Sequence, residues 1–115
     1  MKDIAFFSKI FLATTPVDFR KQAHGLGLIV SEGLGCQELS VKSLFVFTNR
    51  RKSAVKIVYW DETGYALWWK TLEKDRFRWP QDASECLQLK AKELKWLLEG
   101  IDLDKIKRHK KLNLD

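Results

Sequence analysis

The chain has 115 residues, 45% of them hydrophobic and 31% charged, with a net charge of +6. That length holds one compact domain, and that balance excludes a disordered chain. Two prolines and six glycines exclude collagen-like and low-complexity architectures.

The longest stretch without a charge, residues 22–31, is about half of the roughly 20 apolar residues needed to cross a bilayer. At the N-terminus, Asp3 cancels Lys2 and Lys9 interrupts the apolar run, so no secretory signal is read. The expected location is the cytoplasm. Cys36 and Cys86, without CxxC spacing or a neighbouring His, are expected to be reduced thiols.

Residues 10–13 are short, apolar and bounded by Thr14-Thr15-Pro16, which predicts a strand that stops before the proline. Asp18 stands where an N-cap would, opening a helix predicted over residues 19–32. Ala23, Leu26, Ile29 and Val30 recur at helical spacing and give it one buried face. Gly25 and Gly27 weaken such a helix by roughly 1 kcal/mol each, unless they serve close packing. Gly33 and Gly35 end it.

Leu44-Phe45-Val46-Phe47 is a dense strand, and residues 48–53 make a polar turn. Residues 54–60 form the next strand, with Val55, Ile57 and Tyr59 on one face and Lys56, Val58 and Trp60 on the other. Asp61-Glu62-Thr63-Gly64 turns the chain into a strand over residues 65–71. A turn at residues 72–75 leads to a short fourth strand, Phe77-Arg78-Trp79, which Pro80 ends. Residues 81–88 read as a connector. Leu94, Leu97 and Leu98 then stripe a short second helix that Gly100 stops. The expected fold is α+β: an antiparallel β-meander of about four strands with an N-terminal strand, one helix before the sheet and one short helix after it. Residues 1–104 form the single domain, and residues 105–115 a basic C-terminal tail.

The charge is unevenly spread. Residues 1–41 are neutral overall, 42–79 carry +5, 80–104 carry −3 and the tail +4. Concentrated basic patches fit a polyanionic partner, although Lys and Arg also serve solubility. Arg50, Arg51 and Lys52 at a hairpin tip could straddle a phosphate backbone, with Lys56, Lys70, Arg76 and Arg78 extending the patch. The competing reading is a solvated turn. Trp60, Trp68, Trp69 and Trp79 could stack bases, but alternation sends Trp68 and Trp69 to opposite faces. Most of these rings are therefore expected in the core, and surplus aromatic surface would be a protein-binding patch.

Catalytic constellations do not stand out. His24 and His109 lack partners within helical reach, and no run matches a phosphate loop. Asp61, Glu73 and Asp75 could hold Mg²⁺ for phosphodiester cleavage only if the sheet gathered them, and each falls in a turn. No cofactor and no metal are expected.

The ordered series Asp18-Phe19-Arg20-Lys21, Gly25-Leu26, Leu44-Phe45-Val46-Phe47 and Asn49-Arg50-Arg51 resembles one bacterial family. It continues through Lys56, Trp60-Asp61, Gly64, Lys70, Leu72-Glu73, Phe77 and Trp79-Pro80, closing with Leu94, Leu97, Leu98 and Glu99-Gly100-Ile101-Asp102. The family is the TnpB accessory proteins, encoded by the second reading frame of insertion-sequence-66 transposable elements. It is unrelated to the RNA-guided nuclease of the same name. Departures lie in connectors, at residues 38–43 and at Glu62-Thr63-Gly64.

The resemblance implies a non-catalytic part in transposition beside a separate DDE transposase, and it transfers no catalytic residue. The residues matching its motifs are Arg20, Lys21, Arg50, Arg51, Lys56, Trp60, Asp61, Lys70 and Trp79. The leading expectation is a DNA-binding module that uses Arg20, Lys21, Arg50, Arg51, Lys52, Lys56, Lys70, Arg76 and Arg78, and that could meet the element's terminal repeats. The alternative is an adaptor docking on the transposase through Trp68 or Trp69.

Overall fold

The computed structural model describes residues 4–31 and 42–105. After a 3₁₀ turn at Ile4–Phe6, the elements are β1 (Lys9–Ala13), α1 (Ala23–Ser31), β2 (Ser43–Thr48), β3 (Ala54–Trp60), β4 (Tyr65–Thr71), β5 (Cys86–Leu89) and α2 (Ala91–Leu98). The strands form one five-stranded sheet in the order β4-β3-β2-β1-β5. None of the described helices is long and apolar enough to cross a membrane.

The meander β2-β3-β4 is present, with Val46 opposite Ile57 and Ile57 opposite Trp68. Its surroundings differ from the sequence reading. The N-terminal strand, expected without a place in the sheet, is internal: β1 lies parallel to β2, with Phe11 opposite Phe45, and α1 falls between the two strands in sequence. The sheet is therefore mixed, and α1 lies in the crossover connection that two neighbouring parallel strands need. β5, expected to be connector, pairs antiparallel with β1 and places Leu89 opposite Ile10.

Phe77-Arg78-Trp79 is not a strand. Both aromatic side chains turn into the core instead, and the Trp79 indole N–H donates to the Ala13 carbonyl at 2.9 Å. Anchoring by side chains replaces a backbone ladder there.

Helices cover both faces, which explains the unbroken apolar run of β2. Such runs arise where a strand is buried on two sides. Ile10, Leu12, Leu44, Val46, Val55 and Ile57 join Leu94 and Leu97 of α2 in one core. Phe11, Phe45, Phe47 and Val58 join Leu26 and Val30 of α1 in the other. Gly27 permits the second packing, since a Cβ there would stand 2.6 Å from the Tyr65 ring.

α1 begins at Ala23, not at residue 19. Asp18 does cap backbone, but it caps a turn: its carboxylate accepts the Arg20 N–H at 2.9 Å, and its carbonyl accepts the Lys21 N–H. The expected stops at Gly33 and Gly35 lie outside the described residues. α2 matches its reading. Glu93 reaches back to the Lys90 N–H at 2.8 Å, and Gly100, at φ 91°, ends the helix while Ile101 N–H closes onto the Trp96 carbonyl. Cys86 is disulfide-bonded and not the reduced thiol expected. Cys36 lies outside the described residues.

Candidate nucleic-acid interface

Strand direction brings three separate segments to one end of the sheet. β1 and β2 both finish there, β3 starts there and β4 finishes there, because Thr48 faces Val55 and Ala54 faces Thr71. Residues 14–22, 49–53 and 72–78 therefore share that end. Backbone bonds join them: Val17 N–H to the Thr48 carbonyl at 2.9 Å, Leu72 N–H to Ser53 at 2.8 Å, and Phe77 N–H to Lys52 at 2.8 Å. Arg20, Lys21, Arg50, Arg51, Lys52, Arg76 and Arg78 are all carried on these segments, with Lys70 just inside the end of β4.

Asn49 shapes the hairpin tip. Its Oδ1 accepts the Ser53 and Ala54 N–H groups at 2.9 and 3.3 Å, while its Nδ2 donates to Ser53 Oγ at 3.0 Å. Such side-chain bonds to nearby backbone are why Asn favours turns. Lys52 closes the tip at φ 59°, a left-handed position that costs a non-glycine residue about 1 kcal/mol. Arg50 and Arg51 are exposed and Lys52 is half-buried.

Lys56 corrects the sequence reading. It has no exposed surface, because the second face of β3 lies under α1 and the segment leading into it. Its Nζ donates to the carbonyls of Phe19 and Lys21 at 2.8 and 2.9 Å. The same ammonium stands 4.8 Å from the Phe19 ring centroid and 4.2 Å from that of Trp69. Burial pushes its pKa down, and the Asp18 carboxylate partly opposes that. A group enclosed in this way cannot reach a phosphate; Lys56 instead pins residues 19–21 onto the sheet.

Above that pin, Arg20 and Asp18 form an exposed pair, Nη2 to Oδ2 at 2.7 Å, with Nε contacting both carboxylate oxygens. The Arg20 side-chain bond holds the Asp18 pKa down to about 2. Exposed pairs of this kind contribute little to stability. Their value here is that the guanidinium is oriented.

On the α2 side, Lys70, Lys74, Arg76 and Arg78 line a groove of about 500 Å³ closed by Leu98, Glu99 and Gly100. Lys70 Nζ reaches the Leu98 carbonyl at 3.5 Å, in keeping with a cation near a helix C-terminus. Sequence reasoning missed Lys74, which it treated as turn, and Phe19, whose ring helps enclose Lys56. Two smaller clefts, about 390 and 400 Å³, flank the hairpin tip, and Arg50 lines both.

The tryptophans separate as alternation required. Trp68 is half-buried against the α2-side core, whereas Trp69 is 53% exposed on the α1 side. Trp79 is buried, and Trp60 packs edge-on against Tyr65 at 5.1 Å, at the other end of the sheet. The three carboxylates considered for metal are not gathered. Asp61 precedes β4, while Glu73 and Asp75 follow it, so the length of a seven-residue strand, about 20 Å, separates them. The tail beyond Lys105 lies outside the described residues.

Comparison with known proteins places this geometry in context. Residues 8–108 match the family model of the IS66 Orf2-like proteins. The uncharacterized protein y4jC of Sinorhizobium fredii is 33% identical over 100 residues, covering 87% of this chain and 85% of that protein. A second uncharacterized protein of the same organism, y4hO, is 34% identical over 94 residues, covering 82% and 81%. No solved structure matches the chain.

Proposed function

The chain belongs to the IS66 Orf2-like family, and on that premise we propose that it is a non-catalytic accessory protein of transposition that binds DNA beside a separate DDE transposase. Family membership supports the accessory role. The DNA reading rests on one observation, the convergence of three basic segments at one end of the sheet.

Phosphates attract clustered Lys and Arg before any base is read, and released counterions make such binding steeply salt-dependent. Arg50 and Arg51 at the tip are the first contacts, with Lys52, Arg20 and Lys21 beside them. Lys70, Arg76 and Arg78 continue the path into the groove. Lys56 acts indirectly, by holding residues 19–21 in place. Neither described helix presents a recognised base-reading pattern, so backbone contacts carry the affinity.

The exposure of Trp69 favours a second reading, an adaptor that docks on the transposase. Fluorescence anisotropy with terminal-repeat and scrambled duplexes across a salt series separates the two. A steep slope that the Arg50→Ala/Arg51→Ala variant flattens supports the DNA reading. Absence of binding at low salt to either duplex and to a single strand of the same sequence overturns it.

A further inference from the structure

We propose that Trp69 is a stacking platform for an unpaired nucleobase, so that the interface takes single-stranded DNA at this point. The inference rests on the DNA-binding reading and names the form of DNA that it takes.

Four large apolar residues are exposed among those described: Phe6, Leu28, Trp69 and Ile101. Trp69 is the most exposed of them, and it adjoins the basic end. It pairs across the sheet with Lys56, whose Nζ is bonded to the carbonyls of Phe19 and Lys21. Residues 19–21, with the exposed cations Arg20 and Lys21, therefore stand beside the indole.

The indole is also held in place. Lys56 Nζ sits 4.2 Å from its centroid, and Phe19 meets it edge-to-face at 6.2 Å and 87°. Those contacts hold the ring, and 53% of the residue's surface is left open to solvent. An aromatic ring held in one orientation loses little freedom when a base stacks on it.

Exposed aromatics beside cations are how sequence-tolerant single-strand binders work, with the ring taking a base and the cations its backbone. Here the cations are Arg20, whose exposed guanidinium is paired with Asp18, and Lys21, which follows it directly. Duplex DNA offers no such contact, because its bases are stacked on one another.

The test compares full-length wild type, Trp69→Ala and Trp69→Phe by anisotropy, using a labelled mixed-sequence single strand and the matched duplex. Wild type is expected to prefer the single strand. Trp69→Ala is expected to lose about fivefold to a hundredfold in single-strand affinity while duplex binding holds. Trp69→Phe keeps a ring, so it retains most of the affinity but loses the tryptophan-fluorescence quenching that a stacked base produces. This variant carries the test if Trp69→Ala fails to fold.

Duplex binding without a single-strand preference, or a folded Trp69→Ala with wild-type affinity, overturns the platform and leaves the DNA reading intact. Loss of transposase capture by Trp69→Ala with unchanged DNA affinities assigns the ring to a protein interface and also overturns it. Wild type that binds neither oligonucleotide overturns both readings.

Discussion

Lys56 and Trp69 are cross-strand partners whose contact runs from ammonium to indole, 4.2 Å from Nζ to the ring centroid. The lysine has no exposed surface and, among the described residues, no carboxylate partner within hydrogen-bond reach; two backbone carbonyls receive it. Together these residues fix the segment that carries Arg20 and Lys21.

Replacing Lys56 with Met keeps the stem and removes the donors. Two carbonyls then lose their charged partner, and stability is expected to fall by about 2–3 kcal/mol in urea unfolding. The lowered lysine pKa adds a pH signature. In the window between that lowered value and the ordinary 10.5, the unfolded chain holds a proton that the folded chain has released. Wild-type stability should therefore gain from rising pH there, and the Lys56→Met variant should lack that increment. Equal pH slopes for the two proteins would show that Lys56 titrates normally.

Gly27→Ala is expected to destabilise. Alanine favours the helix by about 1 kcal/mol, but its Cβ would lie 2.6 Å from Tyr65 Cε1, and overpacking costs about 1–3 kcal/mol. A net loss is expected in thermal melts. In a double-mutant cycle with Tyr65→Ala, the two effects should be strongly non-additive.

Lys52→Gly separates backbone strain from charge. Glycine accepts φ 59° freely, so stability should rise by up to about 1 kcal/mol while DNA affinity and the salt slope fall. A variant that gains stability with undiminished DNA binding would remove Lys52 from the interface.

Asp18→Asn removes the carboxylate that occupies Arg20 and repels phosphate. DNA binding at low salt is expected to tighten by about two- to fivefold, with a steeper salt dependence. In the wild type, Asp18 ionises well below its ordinary 3.8, so its stabilising effect is present above that pH and disappears as pH falls through about 2. Unchanged affinity in Asp18→Asn would mean that Arg20 meets no phosphate.

β3 and β4 were legible to the residue, because alternation and the chemistry of Asn49 and Gly64 mark both ends. β5 was not, since four residues including an exposed Gln88 carry too little pattern to stand apart from connector. The start of α1 was misread because Asp18 serves a turn, which the residue type does not distinguish from a helix cap. Lys56 was the costliest misreading. Alternation assigned it to the second face of β3, but local spacing does not say whether a helix covers that face. The basic hairpin was visible as a string of cations, whereas its union with residues 14–22 and 72–78 depends on strand order. That order is set by pairings between distant parts of the chain.

β1 lies between β2 and β5, so one neighbour comes from the middle of the sequence and the other from the last third. During synthesis, Ile10 and Leu12 leave the ribosome long before Leu87 and Leu89 exist to pair with them. At bacterial elongation rates, the interval between β1 and the strand beginning at Cys86 is roughly 4–15 s. For that time a nascent chain has an apolar strand with one edge unpaired. The last strand made is therefore the one that closes the sheet, and a ribosome stalled before it holds an aggregation-prone intermediate, a natural client for chaperones.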